Sequence, residues 1–143
     1  MLKTIAIIKD DVEKITFFKK FMYEIEKFFA FEAAHTLKKH DGNCKRPHGH
    51  SYTLKIKITK KDLIACGPKE NMVVDFYDIS SVVKPMLEKY FDHRNLNDSL
   101  EADSPTCEYI AKWIYDYLKN ALPGLSSVTV TETATSRATY RAS

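Results

Sequence analysis

The sequence predicts an α+β domain, an antiparallel sheet in ββααββ order with two helices on one face. Two long stretches, residues 21–35 and 48–60, alternate polar and apolar side chains with the two-residue period of half-buried strands. Two later stretches, residues 79–90 and 105–118, repeat apolar side chains at helical spacing instead. Two short strands complete the order near the C-terminus, and no internal repeat is present.

Length and composition are those of one globular domain. A chain of 143 residues can bury a hydrophobic core, and a net charge of +3 is too small to indicate nucleic-acid binding. A local basic patch would still favour a small anionic substrate. No apolar run reaches the roughly 18 residues of a membrane span. Residues 1–10 lack a signal-peptide pattern, so we expect a cytoplasmic protein with three reduced cysteines, no membrane partner and an N-terminal extension, residues 1–20, of unknown role.

The first strand places Phe31 and His35 on one face and glutamates on the other. At Lys27-Phe28 the alternation breaks, which indicates either a bulge or an interface. A polar loop with an Asp-Gly-Asn turn signal, residues 38–47, leads into the second strand.

The second strand alternates almost without fault over residues 48–60. His48 and His50 are in phase with Tyr52 and the apolar residues that follow, whereas lysines and threonines occupy the opposite face. His35 is likewise in phase with the apolar side of its own strand. We therefore expect all three histidines on the buried side of the sheet.

Cap and proline signals delimit the helices. Asp78 is the expected N-cap of the first helix, and Pro85 should kink that helix or mark an irregular turn. The second helix is expected to open at Ser104-Pro105, a cap followed by proline at the first helical position, and to stop at residues 123–124. The two closing strands are expected near residues 127–133 and 139–141.

His35, His48 and His50 have the composition of a catalytic zinc site. Neutral imidazole is a good zinc ligand, and three protein ligands leave a fourth position open for substrate, whereas structural sites are usually closed by four ligands. The alternative is three unrelated buried histidines. Their agreement of phase favours the metal site more than their number does.

Cys44 lies in the polar loop before the last two histidines, beside Lys45 and Arg46. Neighbouring positive charge favours the thiolate, which is the reactive form of cysteine. The alternative is an inert buried thiol, the usual state of a lone cysteine. Cys66 and Cys107 have no comparable neighbours and are expected to be structural or surface thiols.

Carboxylates and a further histidine supply the remaining candidates. Asp92 and His93 are adjacent in a loop-like stretch, either an oriented acid–base pair or an ordinary surface pair. Glu132 is in phase with the core side of its strand, where a carboxylate needs a partner unless it reaches water at the strand end. Thr106 and Glu108 stand in the first turn of the second helix, where capping alone would explain them.

The candidate residues lie in five short motifs, and the order of these motifs along the chain is that of a known protein family. They are Phe31-Glu32-Ala33-Ala34-His35, Cys44-x3-His48-Gly49-His50-Ser51-Tyr52, Asp92-His93, Pro105-Thr106-x-Glu108 and Val130-x-Glu132-Thr133. In combination they resemble the 6-pyruvoyl-tetrahydropterin synthase family from about Phe21 to the C-terminus. The three residues between Cys44 and His48, and the Pro105-Thr106 pair, resemble the bacterial and archaeal 6-carboxytetrahydropterin synthases, which serve queuosine and related deazapurine synthesis.

The resemblance implies a tunnelling fold (T-fold) over residues 21–143. In this fold, sheets from several subunits join into a barrel, commonly a hexamer built as a dimer of trimers. It also implies that His35, His48 and His50 bind Zn²⁺. Residues 1–20 lie outside the resemblance.

Roles for the other candidates also follow from the resemblance. Cys44 would be the proton acceptor, with Asp92 and His93 orienting it and relaying the proton. Glu132 would complete this catalytic group and anchor the pterin ring, and Thr106 would line the same pocket.

The implied reaction is that of a zinc-dependent lyase. It would convert 7,8-dihydroneopterin triphosphate to 6-carboxy-5,6,7,8-tetrahydropterin with loss of acetaldehyde and triphosphate. The alternatives are the pyruvoyl-forming enzyme, a variant that feeds folate synthesis, and a zinc- and pterin-binding protein without turnover. The joint presence of Cys44, Asp92, His93 and Glu132 argues against the last alternative, because a binding protein needs no proton relay.

Overall fold

The computed structural model describes residues 22–141, which form a five-stranded sheet covered on one face by helices. In chain order the elements are β1 (Tyr23–His35), a 3₁₀ turn (Asn43–Lys45), β2 (His48–Lys60), α1 (Phe76–Tyr90), β3 (Arg94–Asn95), α2 (Leu96–Ser99), α3 (Cys107–Leu118), β4 (Leu125–Thr133) and β5 (Ser136–Arg141). The strand order is β3-β1-β2-β4-β5. The expected extension at residues 1–20 and the expected strand start at Phe21 lie outside the described residues.

The two long strands pair without interruption. All 13 residues of β1 pair in succession with β2, ending with His35 opposite His48. The bulge considered at Lys27-Phe28 is therefore wrong. Phe28 points instead to the outer face of the sheet, where it is 60% exposed, so an interface is the alternative that remains.

Two short elements after α1 were expected to be loop. Arg94–Asn95 form β3, which runs parallel to β1 at residues 33–34, and Leu96–Ser99 form α2. The side-chain amide of Asn97 donates to the carbonyl of Thr36 at 2.8 Å and ties this segment to the end of β1. The segment that follows α1 is thereby fixed along the outer edge of β1.

The start of α1 differs from the predicted one. Asp75 is its N-cap, because the Asp75 carboxylate accepts from the N–H of Tyr77 at 2.8 Å. Asp78 lies in the first turn, where its carboxylate pairs with Lys69 instead. The helix continues through Pro85, so no irregular turn forms there.

The start of α3 also differs from the predicted one. Thr106, rather than Ser104, is the N-cap, and its hydroxyl accepts from the N–H of Tyr109 at 3.3 Å. Pro105 therefore precedes the helix instead of occupying its first turn. The Thr106 hydroxyl is engaged in capping, the simpler of the two roles considered for it.

The core lies between the inner face of the sheet and the two long helices. Its fully buried members include Leu54, Ile56, Ile58, Ile79, Val83, Ile110, Ile114, Leu118, Val128 and Val130. At one end of this core Phe31 stacks on Tyr52 with ring centroids 4.9 Å apart. None of the helices in residues 22–141 is long and apolar enough to span a membrane.

Candidate metal centre and active site

Three histidine rings meet where β1 ends and β2 begins. His35 lies opposite His48, and His50 lies opposite Ala33, so all three leave the inner face of the sheet. The ring centroids are 4.6 Å apart for His35 and His48, 5.2 Å for His35 and His50, and 5.0 Å for His48 and His50. One nitrogen from each ring lies within 4.8 Å of the others. The structure thus brings together the residues that the strand phases predicted.

Backbone carbonyls fix the hydrogens on two of these rings. His35 Nδ1 is 2.9 Å from the carbonyl oxygen of Pro105, and His48 Nδ1 is 2.7 Å from that of Arg46. A carbonyl only accepts, so each Nδ1 carries the hydrogen, and Nε2 of the neutral ring has a free lone pair. Burial lowers the pKa of His35, which keeps that ring neutral. Metal-binding histidines are oriented in this way.

The free lone pairs converge on one point. His35 Nε2 and His48 Nε2 are 3.0 Å apart, a hydrogen-bond distance with no hydrogen on either atom. Glu132 Oε1 lies 3.4 Å from His35 Nε2 and 3.5 Å from His50 Nε2. The buried Nε2 of His50 has no hydrogen-bond partner in residues 22–141. Facing acceptors repel one another unless a cation lies between them, and imidazole nitrogens are the ligands that zinc prefers.

Glu132 reaches the cluster from the end of β4. The pairing of β4 with β5 shifts between Thr131 and Thr133, which places Glu132 in a bulge. Bulges near functional sites redirect a side chain. The Glu132 side chain is 23% exposed, in agreement with the core-side phase expected from the sequence.

Tyr52 lies beneath the cluster and was not among the predicted site residues. Its ring centroid is 5.4 Å from that of His50 and 6.2 Å from that of His35. Its hydroxyl is 3.5 Å from Glu132 Oε1, and burial raises the pKa of Tyr52, so the hydroxyl keeps its hydrogen. The available signal was its position two residues after His50, on the same strand face.

Cys44 lies in the 3₁₀ turn of the loop that joins the histidine-bearing strands. Its carbonyl accepts from the N–H of Leu37 at 3.0 Å, which closes the loop. Its thiol is half-buried, whereas Cys66 is exposed. Cys107 is buried and donates to the carbonyl of Val130 at 3.1 Å, and burial raises the pKa of its thiol to about 11. Of the three cysteines, Cys107 is therefore a structural thiol.

Asp92 and His93 form an oriented pair at the outer edge of β1. Asp92 Oδ1 accepts from the N–H of Glu32 at 3.0 Å and lies 3.1 Å from His93 Nδ1. The hydrogen bond from the Glu32 N–H, and then the one from His93, lower the pKa of Asp92. The His93 side chain is 79% exposed. No hydrogen bond or ion pair joins this pair to Cys44 within the described part of one chain, so one chain alone does not assemble the expected relay.

An open cleft of about 520 Å³ borders both halves of the site. His50 and Ser51 line it from β2, and His93 and Arg94 line it from the segment at the edge of β1. Thr106 is not among its lining residues. His35, His48, Cys44 and Glu132 are not among its lining residues, so His50 is the one member of the histidine cluster that this cleft reaches.

Comparison with known proteins agrees with the motif resemblance. The family model described as 6-pyruvoyl tetrahydropterin synthase matches residues 24–143. A Synechocystis protein named 6-carboxy-5,6,7,8-tetrahydropterin synthase is 45% identical over 120 residues, covering 83% of this chain and 93% of its own. A Haemophilus influenzae protein of the same name is 35% identical over 141 residues, covering 84% and 99%. The structure of Caenorhabditis elegans 6-pyruvoyl tetrahydropterin synthase matches with a TM-score of 0.73 and 28% identity over 88% of this chain and 99% of that one. The expected T-fold is confirmed.

We predict one tightly bound metal ion per chain that depends on the histidine cluster. Zinc-loaded protein should keep about one equivalent after dialysis, because three imidazoles hold the ion. The His48→Ala/His50→Ala variant should lose it, because a single imidazole remains. His40→Ala is the matched control, since His40 lies in the neighbouring loop and accepts from the N–H of Gly42 at 2.8 Å. Elemental analysis checks this, and equal zinc in the double variant would remove both residues from the ligand set.

Proposed function

The chain belongs to the 6-pyruvoyl tetrahydropterin synthase family, and on that basis we propose that it is a zinc-dependent 6-carboxytetrahydropterin synthase. The substrates are 7,8-dihydroneopterin triphosphate and one water molecule, and the products are 6-carboxy-5,6,7,8-tetrahydropterin, acetaldehyde and triphosphate. The observation that carries the proposal is the cluster of three imidazoles, two of them oriented by backbone carbonyls, that lies beside a cysteine-bearing loop. The catalytic domain spans residues 21–143, and the product serves queuosine or related deazapurine synthesis in the cytoplasm.

In the proposed mechanism, the protein's own groups move the proton. His35, His48 and His50 would hold zinc, which would supply Lewis-acid chemistry and so make a C–H bond of the substrate side chain more acidic. The Cys44 thiolate accepts that proton from the substrate side chain. The position of Cys44, in the loop that connects the ligand-bearing strands, supports this role.

Glu132 is proposed to hold the pterin ring. Its Oε1 faces the histidines and Tyr52, whereas its Oε2 makes no hydrogen bond to the described residues. A carboxylate oxygen accepts well from the ring N–H and amino group of a pterin. Thr106 directly follows Pro105, whose carbonyl holds His35, and would line the same pocket.

The subunits are proposed to join edge to edge into the barrel of the T-fold, as a dimer of trimers. β3 pairs with β1 only at residues 33–34, and Asp92 and His93 bond to the backbone of Glu32, which leaves residues 23–31 without a strand partner on that edge in the described chain. β5 is the other edge strand of the sheet that residues 22–141 form. Open edges of this length favour pairing with another chain. Because His93 is exposed and forms no hydrogen bond with Cys44 of the same chain, we propose that His93 of one subunit serves Cys44 of its neighbour.

The pyruvoyl-forming activity is the second candidate. The match to the structure of C. elegans 6-pyruvoyl tetrahydropterin synthase favours it. The three-residue spacing between Cys44 and His48, and the relatives named as carboxy-forming enzymes, favour the first candidate. Identification of the product separates the two.

Turnover of 7,8-dihydroneopterin triphosphate tests the catalytic role of Cys44. The wild-type protein should release acetaldehyde and the 6-carboxy product. Cys44→Ala should lose about 10²–10⁴-fold in rate, the usual contribution of a positioned base, while zinc and pterin binding persist. Cys66→Ala, which removes an exposed thiol, should match the wild type. If Cys44→Ala turns over at the wild-type rate with full zinc, another group takes the proton.

Mixing two inactive variants tests whether the site is shared between subunits. Cys44→Ala and His93→Ala proteins, unfolded together and refolded, should regain activity at about a quarter of the sites, the share expected from random assembly of a symmetric oligomer. Each variant refolded alone should stay inactive. No recovery in a mixed oligomer, or full activity of a wild-type monomer at micromolar concentration by sedimentation, would contradict the shared site.

A further inference from the structure

The loop between β1 and β2 carries positive charge that its surroundings do not neutralise. Residues 38–47 hold four cationic side chains and one carboxylate, namely Lys38, Lys39, Lys45, Arg46 and Asp41. Lys38 pairs with Asp103 at 2.7 Å, and Lys39 lies close enough to Asp103 to help lower its pKa, after the larger effect of Lys38. No carboxylate in residues 22–141 forms an ion pair with Lys45 or Arg46, which are both exposed.

Backbone contacts hold these two cations beside the proposed reaction centre. The N–H groups of Lys45 and Arg46 donate to carbonyls of the 3₁₀ turn at 3.1 and 2.9 Å, and the Leu37–Cys44 hydrogen bond closes the loop. The carbonyl of Arg46 accepts from His48 Nδ1 at 2.7 Å. Lys45 and Arg46 are therefore anchored at the backbone between the proposed proton acceptor and a proposed metal ligand.

Two cationic residues without carboxylate partners, placed between Cys44 and His48, would suit a substrate whose anionic group is attached close to its reacting carbons. Lysine binds phosphate as a point charge, and arginine binds it through two parallel hydrogen bonds. The reacting carbons of the proposed substrate lie at Cys44 and the histidines, and its phosphate chain is its one strongly anionic part. We propose that Lys45 and Arg46 form the polyphosphate subsite and set the preference for a phosphorylated pterin over the free pterin alcohol. This inference rests on the proposed function.

The same contacts would assist the elimination step. Cys44 takes the proton from the side-chain carbon, and the C–H electron pair forms the new C=C bond. The C–O bond to the phosphate chain breaks, and its electron pair leaves on the phosphate oxygen. Negative charge then grows on the phosphate chain, and the positive side chains of Lys45 and Arg46 stabilise it.

Binding of two fluorescent oxidised analogues, neopterin triphosphate and neopterin, tests the subsite on the zinc-loaded oligomer. Lys45→Gln/Arg46→Gln should weaken binding of the triphosphate about 10–100-fold, the usual value of charge-assisted hydrogen bonds, and change neopterin binding less than about twofold. Lys61→Gln/Lys84→Gln is the matched control, because it removes two exposed lysines outside this loop that form no ion pair in residues 22–141. The wild-type preference for the triphosphate should shrink with added salt.

The outcomes separate the subsite from the proposed function. Unchanged triphosphate binding in Lys45→Gln/Arg46→Gln overturns the subsite, and so does an equal loss for both analogues. The single variants Lys45→Gln and Arg46→Gln, checked for zinc content and folding, provide the same test if the double variant is unstable. A wild-type protein that prefers the triphosphate but does not turn over the dihydro substrate would overturn the proposed function and leave the subsite intact.

Discussion

The pairing register of β1 and β2 is the constraint on which the site depends. His35 lies opposite His48 only in this register, and a slip of one residue would move the inner face of a strand to the outer face. Burial of Phe31 on β1 and Tyr52 on β2 opposes such a slip, because their stacked rings would both have to leave the core. The hydrophobic core thus holds the three imidazoles in place.

The start of α3 is coupled to the same cluster. If the helix began at Pro105, the carbonyl of that residue would accept from the N–H of Tyr109, four residues on. The Thr106 cap takes the Tyr109 N–H instead and leaves the Pro105 carbonyl to His35 Nδ1. The cap therefore contributes to the ring orientation of His35. Strand register, the helix cap and the bulge at Glu132 together bring the three imidazoles and a carboxylate oxygen to one point.

The sequence predicts the parts of this arrangement that depend on the regular alternation of polar and apolar side chains along a strand. The alternation in residues 21–35 and 48–60 places all three histidines on one face, and the same argument places Glu132 toward the core. The helix starts were mispredicted because each helix has two candidate N-caps close together in the sequence. Asp75 and Asp78 are three residues apart, and Ser104 and Thr106 are two residues apart. Strand β3 has two residues, too few for a period to appear.

The location of the Asp92-His93 pair depends on tertiary structure. Its distance from Cys44 is set by how α1 returns the chain to the outer edge of β1, which no local pattern encodes. Residues that are assigned to one catalytic step, such as Cys44 and the Asp92-His93 pair, can therefore lie apart in a single folded chain. The exposed His93 and the open strand edges are features that only the folded chain reveals.

X-ray absorption at the zinc edge of the metal-loaded protein tests the central claim most directly. Three imidazoles with a free Cys44 should give nitrogen or oxygen neighbours at about 2.0–2.1 Å, multiple scattering from three rings and no sulfur neighbour. A sulfur at about 2.3 Å would contradict the claim, because it would make a cysteine a metal ligand and leave no free thiolate at Cys44 to accept the proton.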